Sequence, residues 1–530
     1  MSLAFENACS EIKRTASTEH IKKAYQDMSD EYRSMVKEDV FVRFFEGPNR
    51  NTILWHDYEA GGISAKQVPP LQFAAVRTDM ELNIIDLPID IYCKLDCDRL
   101  PHPQAIAITK INPMKCVTEG LPEPEFFRHI NREMSLPNTC VCGYNSMNYD
   151  DEVTRFGLWR SLIPVYEREF RNGNSRWDLL PVMATFASLG IPGVIVPVTD
   201  EGETTLKLEA IAAANDITQE NAHNAVDDVY ALIGLAKLLK RASPLLWDYL
   251  YDGRRKKTAS GRCLTGMTGM LYSPMMGAEH NYGKPVLILG PNPQNRNAGR
   301  VYLELDDVTR IRQMWKMPLE AIRENVFKKK QDHIEAGSER PPLSTLKINN
   351  SPAFFPFNWL VKEGFIDDES PVILADKIAS NRDFISKLLA VFELDSFPEE
   401  DDPELMLYGG FPSDGDKGKL ARLSSQPIVE AFAKKEASFD DPSLNLIYLN
   451  ARARLRDYPG ITLSNDDKGA WQFYCASLQI QPIDESNPKG YVNLTNAEKL
   501  LAKTEMDDAL RGGYKEYLSY VRQQIGPSLP

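Results

Sequence analysis

Asp57 and Glu59 stand two apart in the string LWHDYE, inside a β-branched and apolar run. On a strand, alternate side chains leave the same face. Two carboxylates on one face repel unless something positive sits between them. A hard divalent cation does this, and carboxylate oxygens suit Mg²⁺ or Mn²⁺. A strand end carrying two solvated acids has the same pattern, and D-x-E is common.

A second acidic segment is GYNSMNYDDE, Gly143–Glu152. A strand ends at Gly143 and a helix begins near Asp150. Either Asp150 or Asp151 suits a helix N-cap, and the same position can turn a carboxylate towards the first pair. The third is HNAVDD, His223–Asp228, leading into VYALIGLAKLLKRA. On one continuous helix, residues five apart point about 140° apart. His223 and Asp228 therefore converge only if His223 lies in the loop before the helix. A loop histidine beside a carboxylate-held cation is a plausible general base for water. A solvent-facing His followed by acids at a helix start is the plainer alternative.

These side chains need a scaffold. Thr52–Asp57, Phe73–Thr78, Ile84–Leu95 and Thr139–Tyr144 read as strands. Pro124–Met134, Glu152–Glu167, Trp177–Leu189, Leu206–Asn215 and Ala225–Ala242 read as helices. The order suggests a mixed sheet covered by helices. Beyond residue 244, Val286–Leu289 and Val301–Leu305 flank GPNPQNRNAG and read as a hairpin with a long turn. From about residue 376 the pattern becomes helical. Residues 1–45 are polar, and the spacing of Ile21, Ala24, Met28 and Tyr32 suits a weak amphipathic helix; the segment reads as an extension, a tail in preference to a partner-binding arm.

Taken together, the order is Asp-x-Glu on a strand, Asp at a strand-to-helix junction, then His-x4-Asp opening a helix. This resembles the DEDD exonuclease superfamily in its histidine-marked subgroup, DEDDh. HDYE, QFAAVRTD, GYNSMNYDDEVTR, NSRWDLL and NAHNAVDDVYA narrow the resemblance to bacterial exonuclease I (exodeoxyribonuclease I). LKINNSP, LYGGFPSD and NARARLRDYPG extend it to about residues 50–460.

The resemblance implies an α/β ribonuclease-H-like exonuclease domain at 46–243 and an SH3-like β-barrel domain at 244–375. An all-α C-terminal domain at 376–530 follows, and the polar extension at 1–45 precedes them. It implies a metal-dependent hydrolase that degrades single-stranded DNA from the 3′ end to 5′-mononucleotides, in DNA repair and recombination. Asp57, Glu59, Asp150 and Asp228 would hold two Mg²⁺ ions, with Mn²⁺ as a substitute, and His223 would be the general base. Asp150 rather than Asp151, and Asp228 rather than Asp227, align with the motif. A monomer is implied, as is docking on the acidic tail of a single-stranded-DNA-binding protein. After the first acidic pair the family has Thr-Phe-Gly or similar, whereas this chain has Ala60-Gly61-Gly62.

A single-strand track needs basic groups and stacking platforms. Arg254, Arg255, Lys256 and Lys257 form one basic run, and Arg452, Arg454 and Arg456 another. Tyr144, Tyr149, Phe73 and Trp177 are the aromatic candidates, although buried packing is the commoner fate of such residues. Cys93/Cys97 and Cys140/Cys142 lack further ligands at zinc-finger spacing, so buried thiols are expected there.

The 530 residues, 43% hydrophobic and 26% charged, exclude a disordered chain. Eight cysteines are too sparse for a disulfide framework. The net charge, 61 − 75 = −14, excludes a uniformly basic nucleic-acid coat but not a local basic groove. No apolar run approaches the ~20 residues of a membrane span, and the first residues lack a secretory core. A cytoplasmic enzyme is expected. Two rivals are the same chemistry on RNA and a catalytically silent single-strand-binding module. The filled acidic set argues against the second, and the long appendages against the first.

Overall fold

The computed structural model describes residues 17–46, 51–217, 225–367, 370–393, 400–435, 437–481 and 492–526. The chain forms two compact units. The first contains residues 1–175, 219–233 and 399–530, and the second contains 176–218 and 234–398.

The first unit is built on β1 (Thr52–Ala60), β2 (Pro70–Thr78), β3 (Ile89–Tyr92) and β4 (Thr139–Gly143), in the order β3-β2-β1-β4. β1 runs antiparallel to β2 and parallel to β4, so it is central. That position explains its near-continuous apolar start, TILW, because a central strand is covered on both faces. In β5 (Ser175–Asp178) the chain passes into the second unit. One core joins Leu54, Tyr58 and Phe73 of the sheet to Phe126, Phe127 and Ile130 of the helix Glu123–Met134. The same core takes in Leu444, Ile447 and Tyr448 of the helix Pro442–Arg454. Gly157 lets the helix Asp150–Arg160 approach closely, since a Cβ there would lie 1.9 Å from the Phe127 ring.

The expectation of an N-terminal tail is corrected. Thr18–Gln26, Asp30–Met35 and Glu38–Glu46 are helices. Ile21, Tyr25, Tyr32 and Phe41 of these helices, with Val36 between two of them, share a core with Ile85 and Leu87. The Tyr32 hydroxyl donates to the Ile85 carbonyl. The apolar positions are few, but they fall on one side and find a partner 53 residues further along the chain. Truncation to residue 47 is therefore expected to uncover Ile85 and Leu87 and lower Tm. A thermal melt of the truncated chain checks this.

The second unit has a five-stranded antiparallel sheet, in the order β10-β6-β7-β8-β9. Its strands are β6 (Thr268–Tyr272), β7 (Gly283–Asn292), β8 (Asn295–Glu304), β9 (Leu343–Lys347) and β10 (Ala353–Pro356). The long turn expected at GPNPQNRNAG is mostly strand, with only Pro293 and Gln294 at the tip. Register irregularities near Ile288/Gly290 and Pro291/Asn292 let the Gly- and Pro-bearing stretch stay paired. The helices Ser370–Ala379 and Arg382–Ala390 place Ala375, Ile378, Phe384 and Leu388 in one core with Leu287, Val301 and Leu303. The expected boundary at residue 375 thus falls inside a helix of this core.

Candidate active site

β1 ends in a bulge between Glu59 and Ala60, opposite the start of β2. Up to that point the pleat is regular, so Asp57 and Glu59 leave the same face while Tyr58 turns into the core. The helix Ala225–Ala242 brings Asp228 to that face from its first turn. Carboxylate oxygens of Asp57, Glu59 and Asp228 all lie within 4.8 Å of one another. The three residues are partly buried.

Crowding acids in partial burial is costly. Burial first, and the Asp228 carboxylate second, hold Asp57 well above the usual carboxylate range. Burial, then Asp57 and Asp228, pushes Glu59 up to about 9. A site that disfavours its own charges fits a divalent cation, which replaces repulsion by attraction. This is the only such group of His, Cys, Asp and Glu among the described residues.

Asp150 heads the helix Asp150–Arg160, as expected for the strand-to-helix junction. Its Oδ1 accepts the backbone N–H of Tyr58 at 3.2 Å. That bond ties Asp150 to the residue between Asp57 and Glu59, although Asp150 is outside the three-acid group. The neighbouring Asp151 is committed elsewhere, because its Oδ1 accepts from the buried Arg168 guanidinium at 2.9 Å. Arg168 thus separates the roles of the two adjacent acids. It had no signal in the sequence, being an isolated basic residue 17 positions from its partner.

His223 lies outside the described residues. The histidine on β1, His56, is no substitute base. Its side chain leaves the opposite face from Asp57 and stacks on Phe73, with ring centroids 5.9 Å apart. Burial holds it neutral, with its pKa lowered to about 4.

The aromatic candidates divide. Phe73 is fully buried between His56 and Tyr58 and offers no face to a base. Trp177 lies in β5 at 1% exposure, edge-on to Trp247 and Tyr251. Both expectations of a stacking platform are corrected in favour of packing. Tyr144 and Tyr149 are half-buried, and the Tyr149 hydroxyl donates to the Gly62 carbonyl. Tyr149 is thereby linked to the Ala60-Gly61-Gly62 segment that follows the first acidic pair.

The basic candidates divide as well. Arg255, Lys256 and Lys257 are exposed on the second unit. Arg254 is half-buried there, 3.4 Å over the Tyr251 ring. Arg452, Arg454 and Arg456 are not a DNA track. Arg452 pairs with Asp467, Arg454 with Asp98 and Glu404, and Arg456 with Asp96. Breaking such a buried network leaves unpaired charge, at roughly 3–5 kcal/mol. Arg454→Met is accordingly expected to lower the urea midpoint strongly while sparing metal binding, which a denaturation curve and a Mn²⁺ titration would show.

No helix of the described residues is long and apolar enough to cross a membrane.

Three family models match in sequence: Exonuclease over residues 54–236, Exonuclease I SH3-like domain over 254–394, and Exonuclease I C-terminal domain over 401–521. Exodeoxyribonuclease I of Haemophilus influenzae is 37% identical over 407 residues, covering 75% of this chain and 85% of that protein. A zinc-bound crystal structure of the E. coli ExoI–ssDNA complex matches with a TM-score of 0.77 at 29% identity, covering 89% of this chain and 99% of the other. An SSB/Exonuclease I structure matches with a TM-score of 0.75, again at 29% identity, covering 89% and 100%. The acidic group on β1, the SH3-like sheet and the helical C-terminal segment each coincide with one of the three models. The chain belongs to the exodeoxyribonuclease I family of DEDDh exonucleases and is an exonuclease.

Proposed function

We propose that this chain hydrolyses single-stranded DNA from the 3′ end, releasing 5′-mononucleotides during DNA repair and recombination. The observation that carries the reading is the meeting of Asp57, Glu59 and Asp228, from segments 170 positions apart, within 4.8 Å. Asp150, bonded to the Tyr58 N–H between the first two acids, is the fourth proposed ligand. These four are proposed to hold two Mg²⁺ ions, which Mn²⁺ can replace. Bound there, the ions would supply charge neutralisation at the attacking and leaving oxygens and a more acidic water.

The chain's own residues complete the proposal. His223 accepts the proton of the attacking water. Asp57, Glu59, Asp150 and Asp228 carry the negative charge that fixes cations against the scissile phosphate. The oxygen that departs is the 3′ oxygen of the next nucleotide. Tyr144 and Tyr149 are proposed to meet bases, and Arg254, Arg255, Lys256 and Lys257 phosphates. The names of the matched relatives, and a related structure holding ssDNA, support the DNA substrate. The SSB/Exonuclease I structure supports SSB as a partner, and the acidic tail of a single-stranded-DNA-binding protein is the proposed contact. A monomer in the cytoplasm is proposed with these roles.

The test uses single-stranded DNA labelled at the 3′ or the 5′ end, with duplex DNA and RNA controls, with and without Mg²⁺. Immediate mononucleotide release from the 3′ label, on single-stranded DNA with metal alone, is expected. Tight binding without degradation, or degradation of RNA instead, would overturn the reading.

A further inference from the structure

Cys97 and Cys475 are 378 residues apart in sequence, and their sulfurs are 3.0 Å apart. Both are buried, at 1% and 0% exposure. A disulfide holds its sulfurs at about 2.05 Å, so closure needs an approach of about 1 Å. Cys97 sits in the irregular segment after β3. Cys475 sits on the helix Asn465–Gln479.

The surroundings hold these two segments together without the sulfurs. Gln479 Nε2 donates to the Cys97 and Asp98 carbonyls, at 3.0 and 3.1 Å. The Tyr517 hydroxyl donates to the Asp96 carbonyl at 2.7 Å. Asp96 and Asp98, flanking Cys97, pair with Arg456 and Arg454. The thiols are thus presented to each other by a frame that does not depend on them.

We propose that Cys97 and Cys475 form a redox latch, which peroxide closes into a disulfide tying the segment after β3 to the C-terminal helical region. One thiolate attacks a peroxide oxygen, giving a sulfenic acid and releasing hydroxide, which takes up a proton. The second thiol then displaces water from the sulfenic sulfur. Two thiols lose two protons and two electrons, and hydrogen peroxide becomes two waters. Thiol reductants reverse the step. Burial holds the Cys475 thiol well above its ordinary range, so closure is slow at neutral pH and faster in mild alkali. The closed latch makes covalent a contact that otherwise rests on ion pairs and hydrogen bonds, and it removes loop entropy from the unfolded chain.

The test treats the full chain with hydrogen peroxide at mildly alkaline pH, alkylates it in denaturant and maps the peptides by mass. A linked peptide pair joining Cys97 to Cys475, absent after dithiothreitol, is expected, with a Tm raised by several degrees. Cys97→Ser and Cys475→Ser should each lose both the link and the Tm rise. Separate alkylation of both cysteines, or a link to another cysteine, would overturn the proposal. So would an equal Tm rise in the serine variants. The map is made on the unmutated chain, so a variant that fails to fold leaves the test standing.

Discussion

Asp57→Asn, and separately Asp228→Asn, should reduce nucleotide release by roughly 10³-fold or more while the fold persists. A catalytic cation stabilises transition-state charge by several kcal/mol, and each 1.36 kcal/mol is a factor of ten in rate. The same substitutions test the electrostatics of the site in the opposite direction. In the metal-free protein Glu59 has its pKa raised to about 9, by burial first and then by Asp57 and Asp228. For a raised pKa, the stabilising contribution is complete below the ordinary carboxylate pKa and is lost as pH rises towards the folded value. Metal-free protein should therefore weaken between about pH 4.5 and pH 9 through this site. Asp57→Asn removes part of the repulsion, so at pH 8 it should raise the metal-free Tm and abolish the further rise caused by Mn²⁺. A variant with lower Tm at pH 8 and undiminished activity would remove Asp57 from the proposed ligand set.

His223→Ala should slow the chemical step by roughly 10²–10⁴, the range for a lost general base. Mn²⁺ affinity should hardly change, because the acids remain. The separating readout is the pH–rate profile. A histidine base loses function when protonated, so the unmutated enzyme should fall away on the acid side, near the imidazole range. His223→Ala should lose that limb, and added imidazole should restore part of the rate. A single-turnover assay from pH 5.5 to 8.5 measures all three. An unchanged rate would mean that another group takes the proton. His56 is excluded from that role, because it is buried on the opposite side of β1.

What could be read from the sequence was the part governed by short periods. Asp57 and Glu59 share a face because strands alternate, and this needs no knowledge of the fold. Asp150 was placed at a helix start by local chemistry, and Asp228 in the first turn of the helix Ala225–Ala242. Their convergence was legible only through the resemblance, since no local rule brings residue 228 to residue 57.

Where structure and sequence pattern differ, a side chain's partner lies far away in sequence. Arg454 looked like a phosphate contact until Asp98 and Glu404 claimed it. Phe73 and Trp177 looked like platforms because burial depends on which elements cover a strand. The N-terminal helices looked like a tail because their few apolar residues pack on Ile85 and Leu87. Arg168, which engages Asp151, had no pattern of its own.

Anomalous diffraction from crystals soaked in Mn²⁺ tests most directly whether the acids on β1 and at the helix start at residue 225 hold the catalytic cations. Two manganese peaks about 4 Å apart, in contact with Asp57, Glu59, Asp150 and Asp228, are expected. Both peaks should weaken or vanish in Asp228→Asn. Manganese bound only elsewhere, in crystals of protein that degrades DNA with Mn²⁺, would contradict that assignment.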